Sequence, residues 1–228
     1  ASYTIYSVKN VNPATYGLGC STCSSYGFKI NTTIARNSID DPMYPKSGST
    51  ISLSVDLTPP YSSWRNIDYS TASTEQKYKY VEYHKWMFDT KFYIPLDRNA
   101  PHKLVLEAKA HFGFIGAYSK DLGVGPFERF FLGGDGLAGG VGSFVLGQEV
   151  IGLRGYQNNQ ITPPYNVLEG TIRGGIVYDK FGLELRYPIT SSQAATIYGF
   201  AFTEAGNNWY TYEEFNPFEM YKSAGVGA

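Results

Sequence analysis

The tetrapeptide Leu153–Arg154–Gly155–Tyr156 sets an arginine between a bulky apolar residue and a glycine, inside a long glycine-rich segment. A guanidinium binds a carboxylate through two parallel hydrogen bonds. With stretches of alternating apolar and polar residues on either side, the pattern predicts a segment locked in place by a charge contact. Taken alone, an arginine in a glycine-rich loop is also the pattern of a solvated surface charge. Other candidates for chemistry are sparse. Cys20 and Cys23 lie in a polar stretch with no strand–helix–strand context, which favours a small structural disulfide in an exposed loop over a redox pair; two unpaired thiols stay open as the alternative. A zinc site would need two further ligands at suitable spacing, and His84, His102 and His111 are scattered, so no metal and no cofactor are expected. The glycines from Gly133 to Gly147 are followed by no Gly-Lys-Ser/Thr, which argues for close backbone packing rather than a phosphate cradle. With no nucleophile-elbow motif either, the chain does not read as an enzyme.

The elements that position Arg154 follow from composition and periodicity. The 228 residues include 20 Tyr and 14 Phe but only 17% charged residues. No run approaches the ~18 consecutive apolar residues of a membrane helix, which leaves a soluble all-β protein or a transmembrane β-barrel. A formal net charge of −1 with no basic cluster argues against nucleic acid as a partner. Ala1 and the residues after it show neither the basic flank nor the apolar run of a signal peptide, so a mature or internal fragment is expected.

Phe28–Ile34 and Ile51–Leu57 alternate with period two, separated by a turn-like Asn37–Gly48 rich in Pro, Asp and Gly. Trp86, Phe88, Phe92 and Ile94 alternate with Lys85, Met87, Asp89, Lys91 and Tyr93. Leu104–Phe114 contains good helix formers, yet only a strand puts Glu107 and Lys109 on one face. Thr171–Ile189 reads as one long strand or a pair broken at Gly174–Gly175 and ending at Pro188; Ala195–Tyr212 and Lys222–Ala228 complete about seven to nine strands. Several reach the ~9–11 residues that cross a bilayer at a tilt. Short connections near Asp41–Ser47 and Asp97–Pro101 alternate with long ones at Pro59–Tyr80 and Lys120–Asn166, as tight periplasmic turns alternate with extended outer loops. A soluble β-sandwich is not excluded by strand length alone.

Four segments occur in a characteristic order: Asn37–Pro42 with Pro45 and Gly48, then Phe127–Gly134, then Leu153–Tyr156, then Ser223–Gly227. From about Gly27 to Ala228 the chain resembles the C-terminal barrel of the BamA family of outer-membrane insertases. The resemblance implies an all-β fold, an antiparallel transmembrane β-barrel, of which residues 1–228 would be the middle and later strands of a sixteen-stranded whole. On this resemblance the upstream POTRA domains, the first strands and the final strands would lie outside this sequence, so residues 1–228 alone are expected to aggregate or remain protease-sensitive in detergent for want of partners at their strand edges. It further implies an outer loop, about 119–166, that folds back into the barrel so that Arg154 meets acidic residues of the inner wall. Glu184 and Glu204 are the candidate lock partners. Glu204 stands where the family usually has Asp, and Asp135–Val150 lengthens the loop. Parity places Glu184 inward, opposite in facing to Leu183, Leu185 and Tyr187. It also gives Glu204 the same face as Tyr198, Phe200 and Phe202, so either these rings pack beneath the loop or Gly199 marks a bulge.

The function implied is assembly of nascent outer-membrane proteins in the bacterial cell outer membrane without covalent chemistry. Nascent outer-membrane proteins, accessory assembly lipoproteins and outer-membrane lipid are the implied partners. A two-partner secretion transporter shares the loop motif, and a passive porin-like barrel is the alternative from another class. For the cysteines, replacing both by serine should leave assembly activity intact, and mass spectrometry of the unreduced protein should show two hydrogens fewer than the dithiol. Loss of function in the double variant would instead assign the pair a redox or partner-binding role.

Overall fold

The structure, a computed structural model, describes residues 2–9, 22–97, 104–136, 147–166, 171–191 and 196–228. Among them, eight strands form one antiparallel sheet: β1 (Ser2–Val8), β2 (Cys23–Asn37), β3 (Gly48–Leu57), β4 (His84–Pro95), β5 (Val105–Gly116), β10 (Val177–Ser191), β11 (Thr196–Trp209) and β12 (Tyr221–Gly227). Neighbours in the sheet are neighbours in sequence except between β5 and β10, where the intervening chain leaves the sheet. That excursion carries β6 (Phe130–Leu132), parallel to β7 (Glu149–Ile151), and β8 (Pro164–Asn166), antiparallel to β9 (Thr171–Ile172). The sheet is not closed: β1 and β12 lie at opposite edges, as in a partial barrel.

The strands form where the two-residue alternation is sustained. Leu104–Phe114 is extended as expected, and β5 pairs with β4 over twelve positions, from His84↔Gly116 to Pro95↔Val105. The Thr171–Ile189 segment divides at Gly174, whose φ of 83° is open to glycine and strained for other residues. The expected stop at Pro188 is corrected: β10 continues to Ser191, with a register shift between Pro188 and Thr190. Proline has no N–H to give to the ladder, and a bulge leaves one residue outside the pairing.

Polarity across the sheet is inverted relative to a soluble protein. Phe181, Leu183, Leu185 and Tyr187 of β10 are exposed, whereas Glu184 between them is buried, as are Lys85, Glu107 and Glu204 on the same inner face. Such a sheet suits hydrocarbon outside and a polar, filled interior. No helix among the described residues is long and apolar enough to cross a membrane. Among the described residues, two short helices, α1 (Tyr61–Trp64) and α2 (Thr74–Lys77), sit in the long β3–β4 connection, α2 behind a capping box of Ser73 and Gln76. Tyr6, Tyr83, Ile115, Phe127, Phe130 and Tyr178 belong to one buried cluster that joins the root of the excursion to the strands around it.

At the opposite end the β2–β3 turn is organised by one carboxylate. Asp40 Oδ1 accepts the backbone N–H groups of Asp41, Lys46 and Ser47 at 3.1, 2.9 and 3.1 Å. Partial burial opposes ionisation, but the N–H groups of Ser47 and Lys46 outweigh it and hold Asp40 below the ordinary carboxylate range. A depressed carboxylate contributes stability above its unfolded value and loses it as pH falls through the lower folded value. Protection of the Lys46 and Ser47 amides from hydrogen exchange should therefore be flat at neutral pH and fall only below about pH 4. Asp40→Asn should abolish that pH dependence.

Candidate functional site

Between β7 and β8 the excursion turns at Leu153–Tyr156, and every residue of this tip is held. Leu153 is fully buried in a small core with Leu132 and Ile161, and its N–H bonds Gly134 O at 2.9 Å. The Tyr156 hydroxyl donates to Lys222 O of β12 at 2.7 Å, and its ring meets Tyr221 edge-on. Gly155 adopts a φ of 87°, and a Cβ there would lie 3.1 Å from Ser223 Cβ. Only glycine fits both the backbone angle and the close approach to β12.

Arg154 is aimed at the wall by these neighbours. Its Nη1 lies 2.8 Å from Glu184 Oε2 on β10 and its Nη2 2.8 Å from Glu204 Oε1 on β11. The Arg154 backbone N–H donates to the other Glu204 oxygen at 3.0 Å. Burial alone would lower the pKa of the guanidinium, but hydrogen bonds to Glu204 and Glu184 outweigh it and raise it above its ordinary value. The ring question raised by parity is resolved by packing: the guanidinium carbon sits 3.6 Å from the centroid of Phe202 and 5.8 Å from that of Phe200. A partly exposed cation over an aromatic face adds about 0.5–1 kcal/mol. β11 runs through Gly199 in register with Tyr187, so no bulge is needed there.

The lock is wider than the three residues expected. Lys109 of β5 lies 3.0 Å from Glu204, and Lys180 of β10 lies 3.6 Å from it while donating to Gly152 O at 2.6 Å. Arg186 Nε binds Glu184 at 2.8 Å, its Nη2 binds Glu107, and Tyr93 donates to the same Glu107 at 3.2 Å. Glu107, Lys109 and Arg186 had a signal in the sequence, because parity puts them on the inner face with Glu184. Lys180 lies on that face too, but its reach to the loop backbone depends on where the loop sits.

Cys23 opens β2 and is disulfide-bonded; Cys20 lies outside the described residues, as do His102 and much of the Asp135–Val150 segment. His111 pairs with Asp89, and His84 accepts from Trp86 Nε1 at 3.2 Å. No group of three metal-ligating side chains occurs among the described residues.

Arg154→Ala removes two charged contacts but leaves Glu204 with Lys109 and Lys180, and Glu184 with Arg186. The expected loss is therefore near the lower end of the range for breaking a buried pair, about 3 kcal/mol. Arg154→Glu should lose more, because it sets a third carboxylate against two. Arg154→Lys should rescue only in part, since an ammonium lacks the planar fork that spans both partners. Heat-modifiability in gels and growth complementation with the full-length protein measure this; wild-type behaviour of the charge reversal would rule the lock out.

A domain model described as the Omp85 superfamily domain matches residues 8–228. No curated protein matches the chain. Among solved structures, the chain is similar to the crystal structure of BamA from Haemophilus ducreyi lacking POTRA domains 1–3, with a TM-score of 0.63 and 21% identity. That likeness, which is one of fold, covers 90% of this chain and 36% of the other, so the chain spans about a third of that structure.

Proposed function

This chain belongs to the Omp85 superfamily, and we propose that it is part of the barrel of an assembly factor that folds and inserts nascent β-barrel proteins into the bacterial outer membrane. On this reading residues 1–228 lie within one outer-membrane barrel domain, and the loop of about 119–166 leaves its outer end and folds back inside. The observation that carries the proposal is the loop tip, bound through Arg154 to carboxylates on two adjacent strands of an inner wall.

Insertion of this kind requires no covalent step. An unfolded strand in hydrocarbon carries unpaired backbone groups, each costing several kcal/mol, and a barrel edge that offers partners lowers that barrier. The client's own folding supplies the driving force. What the present residues do is hold the wall in shape: a filled, salt-bridged interior resists collapse while an edge exchanges partners. The same filling argues against a passive porin, whose lumen must conduct. The partners on this reading are nascent outer-membrane proteins, accessory assembly lipoproteins and the lipid itself.

The test is reconstitution of the full-length protein in vesicles with an unfolded β-barrel client. Faster appearance of the heat-modifiable, protease-resistant client in the membrane is expected, and the Arg154→Glu variant should lose that acceleration. A high steady conductance with no effect on the client would identify a porin, and delivery of the client to the far compartment would identify a secretion transporter.

A further inference from the structure

The loop also carries a buried negative charge, opposite in sign to Arg154, at its root. Glu128 lies just before β6 with its side chain 8% exposed. Its Oε1 accepts the Tyr6 hydroxyl of β1 at 2.8 Å and lies 3.4 Å from Lys29 Nζ of β2. Its Oε2 lies 3.5 Å from Lys85 Nζ of β4, an ammonium that is 1% exposed. Lys85 also binds Glu149, the first residue of β7, at 2.9 Å. One carboxylate thus gathers three strands of the wall, and a shared lysine ties both limbs of the loop to that wall. Glu128 holds a φ of 58°, a conformation that side chains other than glycine adopt only where the surroundings enforce it.

From this root a run of hydrogen bonds reaches the tip. The Glu149 N–H bonds Arg129 O at 3.0 Å, and β6 pairs with β7 from Phe130↔Glu149 to Leu132↔Ile151. The Gly133 N–H bonds Ile151 O at 3.0 Å, and the Leu153 N–H bonds Gly134 O at 2.9 Å. Arg154 follows directly. Arg129 fastens the start of this path, its guanidinium donating to the carbonyls of Val124, Gly125 and Gly174.

We propose that Glu128 is the positioning residue of the loop: its contacts with Tyr6, Lys29 and Lys85 set where the root sits, and the paired β6–β7 limbs carry that placement to Arg154. The loop is then a strut with an anionic foot on β1, β2 and β4 and a cationic foot on β10 and β11. This rests on the loop's geometry and not on the insertase reading, and its test measures no client assembly.

Ser223 supplies the probe. Its hydroxyl is buried without a hydrogen-bond partner, beneath the backbone of Gly155. In the full-length protein with Cys20, Cys23 and any other native cysteine replaced by serine, Ser223→Cys places a thiol under the loop tip. Val105→Cys places another at a fully buried site near the far end of the wall. Adding Glu128→Gln, which keeps the shape and removes the charge, should raise the maleimide labelling rate at position 223 about tenfold through local opening and leave that at position 105 unchanged. Tyr6→Phe, which removes one hydrogen bond and keeps the ring, should raise the rate at position 223 about threefold. An unchanged rate at position 223, or equal rises at both positions, would overturn the proposal; the second result would make Glu128 a general stabiliser of the wall. Should Glu128→Gln fail to give a heat-modifiable barrel, Tyr6→Phe decides by the same two readings.

Discussion

A carboxylate as enclosed as Glu204, whose side chain is 1% exposed, stays charged only with cations inside hydrogen-bonding reach. That requirement organises the inner wall. Lys109 and Lys180 approach from the wall itself, and the third cation, Arg154, comes from a loop more than twenty residues away along the chain. Because Arg154 also binds Glu184, which binds Arg186, which binds Glu107, the loop tip becomes a member of a network extending over β5, β10 and β11. Leu153, Gly155 and Tyr156 then have one task between them. They place a guanidinium over Phe202 at the height where two carboxylates converge.

The wall accommodates such long side chains by omitting others. Lys109 lies across Gly182, Phe202 across Gly225 and Phe200 across Gly227, each where a Cβ would come within 2.8 Å of the crossing side chain. Laid sideways over glycine, the rings form a floor for the loop instead of filling the space it occupies. Small residues on one strand and large ones on its neighbour thus act together, as aromatic cover over strand glycines does in other sheets. Outside, the same strands present Phe181, Leu183, Leu185 and Val226, so the two faces of one alternation meet different solvents.

A filled interior also bears on how such a sheet works in a membrane. Strand pairs resist separation through backbone hydrogen bonds, but the side-chain ties from the loop reach both early and late strands of the described sheet. Glu128 contacts β1, β2 and β4, while Arg154 contacts β10 and β11. Early and late strands of the described sheet are therefore joined through the loop as well as through the ladder.

The sequence by itself determined seven of the eight strands of the main sheet, β1 and the short strands of the excursion excepted, with their facing and the identity of the charged tip, because period-two alternation is a local property and each inward residue is fixed by parity from its neighbours. Glu184 and Glu204 were legible as partners for Arg154 only with the family resemblance, since nothing local relates residues so far apart. Parity even raised an objection, three aromatic rings on the face of Glu204, that only packing removed: Phe200 and Phe202 lie over glycines of β12 and under the Arg154 guanidinium, and Tyr198 lies under that of Arg186. The continuation of β10 past Pro188 escaped notice because a bulge depends on what the partner strand does. Glu128 escaped as well. In sequence it is one acid of the Phe127–Gly134 segment, whereas its partners Tyr6, Lys29 and Lys85 come from three separate strands. Contacts of that kind are decided when a sheet curves around a loop, and no local pattern records them.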